Sequence, residues 1–140
     1  MNLVEFFNKT HSLKGECLPD IKKFCFTIIQ VDKDNKAVKT VKHYISLSAG
    51  ALLFEDIVTE RFWTSKIRYP EGYRERKTSG KKQKYRDLLI TLKGVISVRE
   101  GESQLLFNLT PFELGVFANT LLSYLKAQQL AFMLQQKKEE

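Results

Sequence analysis

Ten basic side chains fall between residues 61 and 86: Arg61, Lys66, Arg68, Arg74, Arg76, Lys77, Lys81, Lys82, Lys84 and Arg86. Only Glu71 and Glu75 oppose them. Residues 1–60 balance eight basic against eight acidic side chains, and residues 87–140 hold five against six. This one segment therefore carries the whole excess behind the net charge of +7. Trp63, Tyr69, Tyr73 and Tyr85 are interleaved with the cations. Lysine and arginine neutralise phosphates and release their counterions, and aromatic rings give bases a face to stack on. The two together point to a polyanion, above all a nucleic acid. The bland alternative is a solvated loop that keeps the protein soluble.

Catalytic chemistry has little support. The chain contains no GxSxG, P-loop, GxGxxG or HExxH pattern. Its two histidines, His11 and His43, have no partner pattern, and His43 alternates with apolar residues as a core histidine does. Glu55 and Asp56 are adjacent on an expected helix, where neighbours do not face each other. Cys17 and Cys25 read as reduced thiols, with no CxxC and no zinc pattern. The expectation is a protein that is not an enzyme and carries no cofactor or metal. MNLVEFFNKTHSLKGE is not a secretory signal, and no run of about 18 apolar residues exists to span a membrane. The expected setting is cytoplasmic, or nucleoid-associated in a bacterium.

The elements that must position the basic segment follow from periodicity. KKFCFTIIQV (22–31) and AVKTVKHYISL (37–47) read as a hairpin across the DKDNK turn. Val41, His43, Ile45 and Leu47 share one face; Lys42, Tyr44 and Ser46 share the other. Ser48 is the expected cap of a helix over 49–60. RFWTSKIRY (61–69) reads as a strand or an extended segment, broken by Pro70 and Gly72. Four short strands follow, over 73–77, 84–92, 94–100 and 104–109. Thr110, Pro111 and Glu113 make a capping box with proline at the first helical position, opening a long apolar helix. The expected fold class is α+β: two antiparallel β-meander-plus-helix units in one domain over 22–134. It is preceded by a segment, 1–21, that has the option of an edge strand. VEFF and a stretch near His11 are the candidates for missing strands. QQKKEE (135–140) should fray.

The stretch YRERKTSGKKQKYRDLLITLKGVISVREGESQLLFNLTPFELGVFANTLLSYLKAQQLAF resembles the second half of a Whirly single-stranded-DNA-binding protein. FCFTIIQVDKDNKAVKTVKHYISLSAGALLFEDIV resembles the first half more loosely. PC4-type coactivators share the strand-and-helix unit in single copy. The Lys-Gly-Lys-Ala-Ala-Leu-like motif of plant Whirly proteins is not matched, and Lys14-Gly15 is its closest remnant. The resemblance implies single-stranded DNA binding and a dimer or tetramer built through the helices. On that expectation the long helix packs on its sheet and on its symmetry mates, and Leu114, Phe117, Leu121 and Leu125, one stripe of it, form the oligomer interface.

The expected function is therefore largely sequence-independent binding of single-stranded nucleic acid, DNA favoured, in transcription, replication, repair or recombination. The candidate contacts are Lys42 and Tyr44 on the first hairpin. Trp63, Lys66, Arg68 and Tyr69 follow on the middle segment, and Arg74, Arg76, Lys81, Lys82, Lys84, Tyr85 and Arg86 on the second hairpin. Trp63 either packs in the core or stacks on a base. If Leu88 and Ile90 face the core, Tyr85 points out. Two alternatives remain: an RNA-binding protein, or an oligomeric interaction module whose basic loop docks an acidic partner.

Overall fold

The computed structural model describes the backbone of residues 2–79 and 84–139, with side chains except at 79, 84, 132, 133 and 135–139. Strands β1 (Leu3–Phe7), β2 (His11–Leu18), β3 (Lys23–Val31) and β4 (Ala37–Ser46) form one antiparallel sheet in that order. Helices α1 (Leu47–Val58) and α2 (Arg61–Thr64) follow it. Strands β5 (Tyr73–Ser79), β6 (Lys84–Ile90), β7 (Val95–Glu100) and β8 (Ser103–Asn108) form the second sheet, and α3 (Pro111–Glu139) ends the chain. The unit of four strands and a helix thus occurs twice. VEFF and the stretch from His11 do supply the two missing strands, so residues 3–18 belong to the first sheet.

Local chemistry sets the boundaries. In the β3–β4 turn, Asp32 Oδ1 accepts from the backbone N–H groups of Asp34 and Lys36, and Asn35 takes a left-handed φ of 59°. Gly94 turns β6 into β7 at φ 97°; any Cβ there would meet the Leu109 carbonyl oxygen at 2.1 Å. The capping box forms as read: Glu113 N–H donates to Thr110 Oγ1 at 3.1 Å, and Thr110 N–H to Glu113 Oε1 at 3.0 Å. The cap of α1 differs. Ser46, not Ser48, accepts from Ala49 N–H, at 3.2 Å, because the helix starts two residues early at Leu47. The helical backbone of α3 spans Pro111–Glu139.

The inner faces of the two sheets and the long helices share one core. Phe26 on β3, Phe54 on α1 and Phe117 on α3 bring their ring centroids within 5.6–6.4 Å of one another, in the range of favourable aromatic pairs. The α3 helix packs against α1 and against β1 and β2. It approaches the first sheet over Gly15, where an added Cβ would lie 2.6 Å from the Phe117 ring. Leu114, Phe117, Leu121 and Leu125 are 0–7% exposed within the single chain. They are therefore core residues of one subunit, not the expected oligomer interface: α1 and the first sheet already cover that stripe. The apolar side chains that α3 leaves exposed are others, among them Phe112, Val116, Leu130 and Leu134.

Candidate nucleic-acid interface

Alternation along the second sheet separates two faces. Leu88, Ile90, Ile96, Val98, Leu105 and Phe107 point inward and are buried. Their neighbours in sequence form the outer face, aligned in rows by the strand register. Arg76, Asp87, Arg99 and Gln104 lie side by side across β5 to β8. Arg74, Leu89, Ser97 and Leu106 make the next row, and Thr78 pairs with Tyr85. Three arginines thus face solvent against one aspartate.

These arginines are differently engaged. Arg74 Nη2 lies 3.1 Å from Asp87 Oδ2. Arg99 donates from Nε to the Gly101 carbonyl at 3.0 Å, with its guanidinium carbon 5.8 Å from the Tyr85 ring centroid, at cation–π distance. Arg76 is exposed and has no ion-pair partner among the described residues. Gln104 Nε2 donates to Ser97 Oγ at 2.8 Å. Tyr85 points out, as the alternation requires.

Arg86 does not share that face. It belongs to the inward row Lys77, Arg86, Glu100 and Ser103, with Nη2 3.6 Å from Glu100 Oε2. This row meets the edge of the first sheet. Two outward backbone groups of β4 are taken by side chains: Glu100 accepts from Lys42 N–H, and Lys77 Nζ donates to the Tyr44 carbonyl at 2.8 Å. An exposed strand edge would otherwise invite pairing with another chain. Arg86 therefore works at the seam between sheets. Lys42 and Tyr44 display their side chains on the outer face of the first sheet, apart from the arginine rows.

The middle segment is a correction to the sequence reading. Residues 61–69 form α2 and a turn, not a strand, and the reason is Asp56. This carboxylate, 0% exposed on α1, takes the Tyr69 hydroxyl at 2.5 Å and Arg68 Nη1 at 2.8 Å, with Arg61 Nη1 at 4.0 Å. A buried charge without partners would cost several kcal/mol, so the chain curls back to supply them. Burial pushes the Asp56 carboxyl up, but the Tyr69 and Arg68 hydrogen bonds and the two guanidinium charges outweigh it and leave it below its ordinary value. Burial and Asp56 together raise the Tyr69 hydroxyl. Tyr69, 6% exposed, is thus no stacking platform, and Arg68 is committed to Asp56. Trp63 is half-buried against the core, edge-on to Phe62, with Nε1 donating to the Leu92 carbonyl at 2.8 Å. Lys66 is exposed but stands apart on this turn.

His43 is a core histidine with one bond made. Its Nε2 lies 2.7 Å from Glu75 Oε1, and its Nδ1 has no protein partner. Glu75 also accepts from the Tyr73 hydroxyl and pairs with Lys77 Nζ at 3.2 Å. Burial is the main cause that holds the imidazole below its usual pKa, against the pull of Glu75.

Lys81 and Lys82 lie outside the described residues; Lys84 opens β6, its side chain likewise outside them. Among the described residues no group of three His, Cys, Asp or Glu is placed to hold a metal ion, and no helix is long and apolar enough to cross a membrane. Sequence reasoning missed Asp87, Arg99, Gln104 and Leu106 on the outer face. The signal was present: Asp87 alternates with Leu88, and Arg99 with Val98. It was masked because these residues lie outside the basic run. No known protein-family model matches the chain, and no curated protein matches it.

Proposed function

We propose that this is a Whirly-like single-stranded nucleic acid-binding protein, DNA favoured over RNA, that holds its ligand on the outer face of the second sheet. The supporting observation is the row of Arg76, Asp87 and Arg99 with Arg74 and Tyr85 beside it, on a sheet face otherwise made of small, polar and aliphatic side chains. In the sequence, Lys81, Lys82 and Lys84 add to the basic run that includes Arg74 and Arg76. Guanidinium groups would neutralise phosphates, and Tyr85 would carry a base, aided by the Arg99 charge. The strand-and-helix unit repeated in one chain fits the Whirly resemblance. Binding of this kind reads little sequence, which suits transcription, replication, repair or recombination. A homo-oligomer belongs to the same reading; its contact would use helical surface that α3 leaves uncovered, such as Phe112, Val116, Leu130 and Leu134.

The test compares faces. Fluorescence anisotropy with a labelled single-stranded DNA should show the Arg76→Gln, Arg99→Gln double variant losing at least about tenfold in affinity. Lys42→Gln with Tyr44→Ala should change it little. The reverse ranking would move the site to the first sheet.

A further inference from the structure

Among the described residues Asp87 is the one anion on the basic face, and its position is central. Across the strands it stands directly opposite Arg76 on β5 and Arg99 on β7. Diagonally it grips Arg74, with Nη2 to Oδ2 at 3.1 Å and Nε to Oδ1 at 3.5 Å. Asp87 is 8% exposed, although it lies on the solvent side of the sheet. A two-point guanidinium–carboxylate contact has the geometry that guanidinium–phosphate contacts use. Arg74 is therefore already occupied by an anion of the protein's own. We infer that Asp87 is a built-in competitor for the ligand's phosphates, which withholds Arg74 and caps the affinity of the face. This rests on the nucleic-acid reading above. Arg76 and Arg99 are then the working cations in the resting protein. A phosphate reaches Arg74 only by displacing or sharing with the Asp87 carboxylate, whose charge also repels it. The consequence is a face that releases its strand more readily than its arginine count implies.

The experiment is a two-residue cycle with the full chain, read by anisotropy of labelled single-stranded DNA across a salt series. Asp87→Asn should tighten binding about 3- to 10-fold and steepen the slope of log affinity against log salt by about 0.7, the increment for one more neutralised phosphate on a single strand. Arg74→Gln should weaken wild-type binding clearly less than Arg76→Gln does, since it removes an already neutralised cation, and what it does cost comes from unmasking the Asp87 carboxylate. The same substitution made on Asp87→Asn should erase its gain. Asp87→Thr, a good strand former, provides a second neutral variant, and thermal melts check that each is folded. Binding by Asp87→Asn and Asp87→Thr that is unchanged or weaker overturns the inference while leaving the functional reading intact. So does an Arg74→Gln variant that loses as much as Arg76→Gln. A wild type that binds no single strand overturns both.

Discussion

His43 on β4 and Glu75 on β5 meet at 2.7 Å, a part-buried hydrogen bond that helps to join the two sheets. Around it, Tyr73 and Lys77 complete the Glu75 carboxylate, and Lys77 reaches on to the Tyr44 carbonyl at the edge of β4. The strand that borders the basic face is thus fixed to the first sheet by side chains rather than by a continuous ladder.

This seam should be acid-sensitive. The His43 imidazole is held below its ordinary value of 6.5, mainly by burial. The unfolded chain therefore takes a proton there first, and stability falls as pH drops below about 6.5. Glu75 acts in the same direction at lower pH. Burial raises its pKa, but the bonds from His43, Tyr73 and Lys77 bring it below its ordinary value. Its contribution is present above the unfolded value and lost as pH falls through the folded one. Urea midpoints should decline from pH 7 to pH 5, and His43→Leu should flatten that part of the curve. An undiminished decline in His43→Leu would place the titration elsewhere.

Tyr69→Phe should cost about 1–3 kcal/mol of stability, because the buried Asp56 carboxylate, whose Oδ1 already has no hydrogen-bond partner, then keeps only Arg68 as a donor, at Oδ2. Binding of single-stranded DNA by the folded variant should stay at the wild-type level. Urea unfolding and anisotropy on one preparation separate the two effects. A variant of normal stability that binds poorly would return Tyr69 to the interface.

Gly15→Ala should destabilise the fold by about 1–3 kcal/mol through overpacking. The added methyl would stand 2.6 Å from the Phe117 ring and 2.9 Å from a Leu121 methyl. A melting temperature equal to that of the wild type would mean that α3 sits farther from β2 than described.

The two serines before α1 provide a sharp local comparison. Ser46→Ala should cost about 1 kcal/mol as the loss of a helix cap. Ser48→Ala, at an exposed position inside the first turn, should cost little. Equal losses in urea unfolding would contradict the assignment of the cap.

The features legible in the sequence were those set by near neighbours. The Thr110–Glu113 box, the DKDNK turn and the alternation of β4 each depend on residues within a few positions, and each forms as read. What stayed hidden depends on distant partners. Asp56 has the helical spacing of a core position beside Leu53 and Ile57, and its donors arrive 12 and 13 residues later. The periodicity of α3 identified the buried stripe, but not what buries it. Leu114, Phe117, Leu121 and Leu125 are covered by α1 and the first sheet of the same chain, so no second copy is needed there. Arg86 fell with the wrong group for a related reason. Its charge placed it in the basic run, and only the position of the β4 edge shows that it faces inward.

Single-strand binding is read out by anisotropy titrations of the wild-type chain with labelled single-stranded and duplex DNA of one mixed sequence, across a salt series. The protein should show clear preference for the single strand and a linear loss of log affinity with log salt, as phosphate contacts require. Equal weak binding to both forms would contradict it. The basic face would then be a docking surface for acidic partners in general.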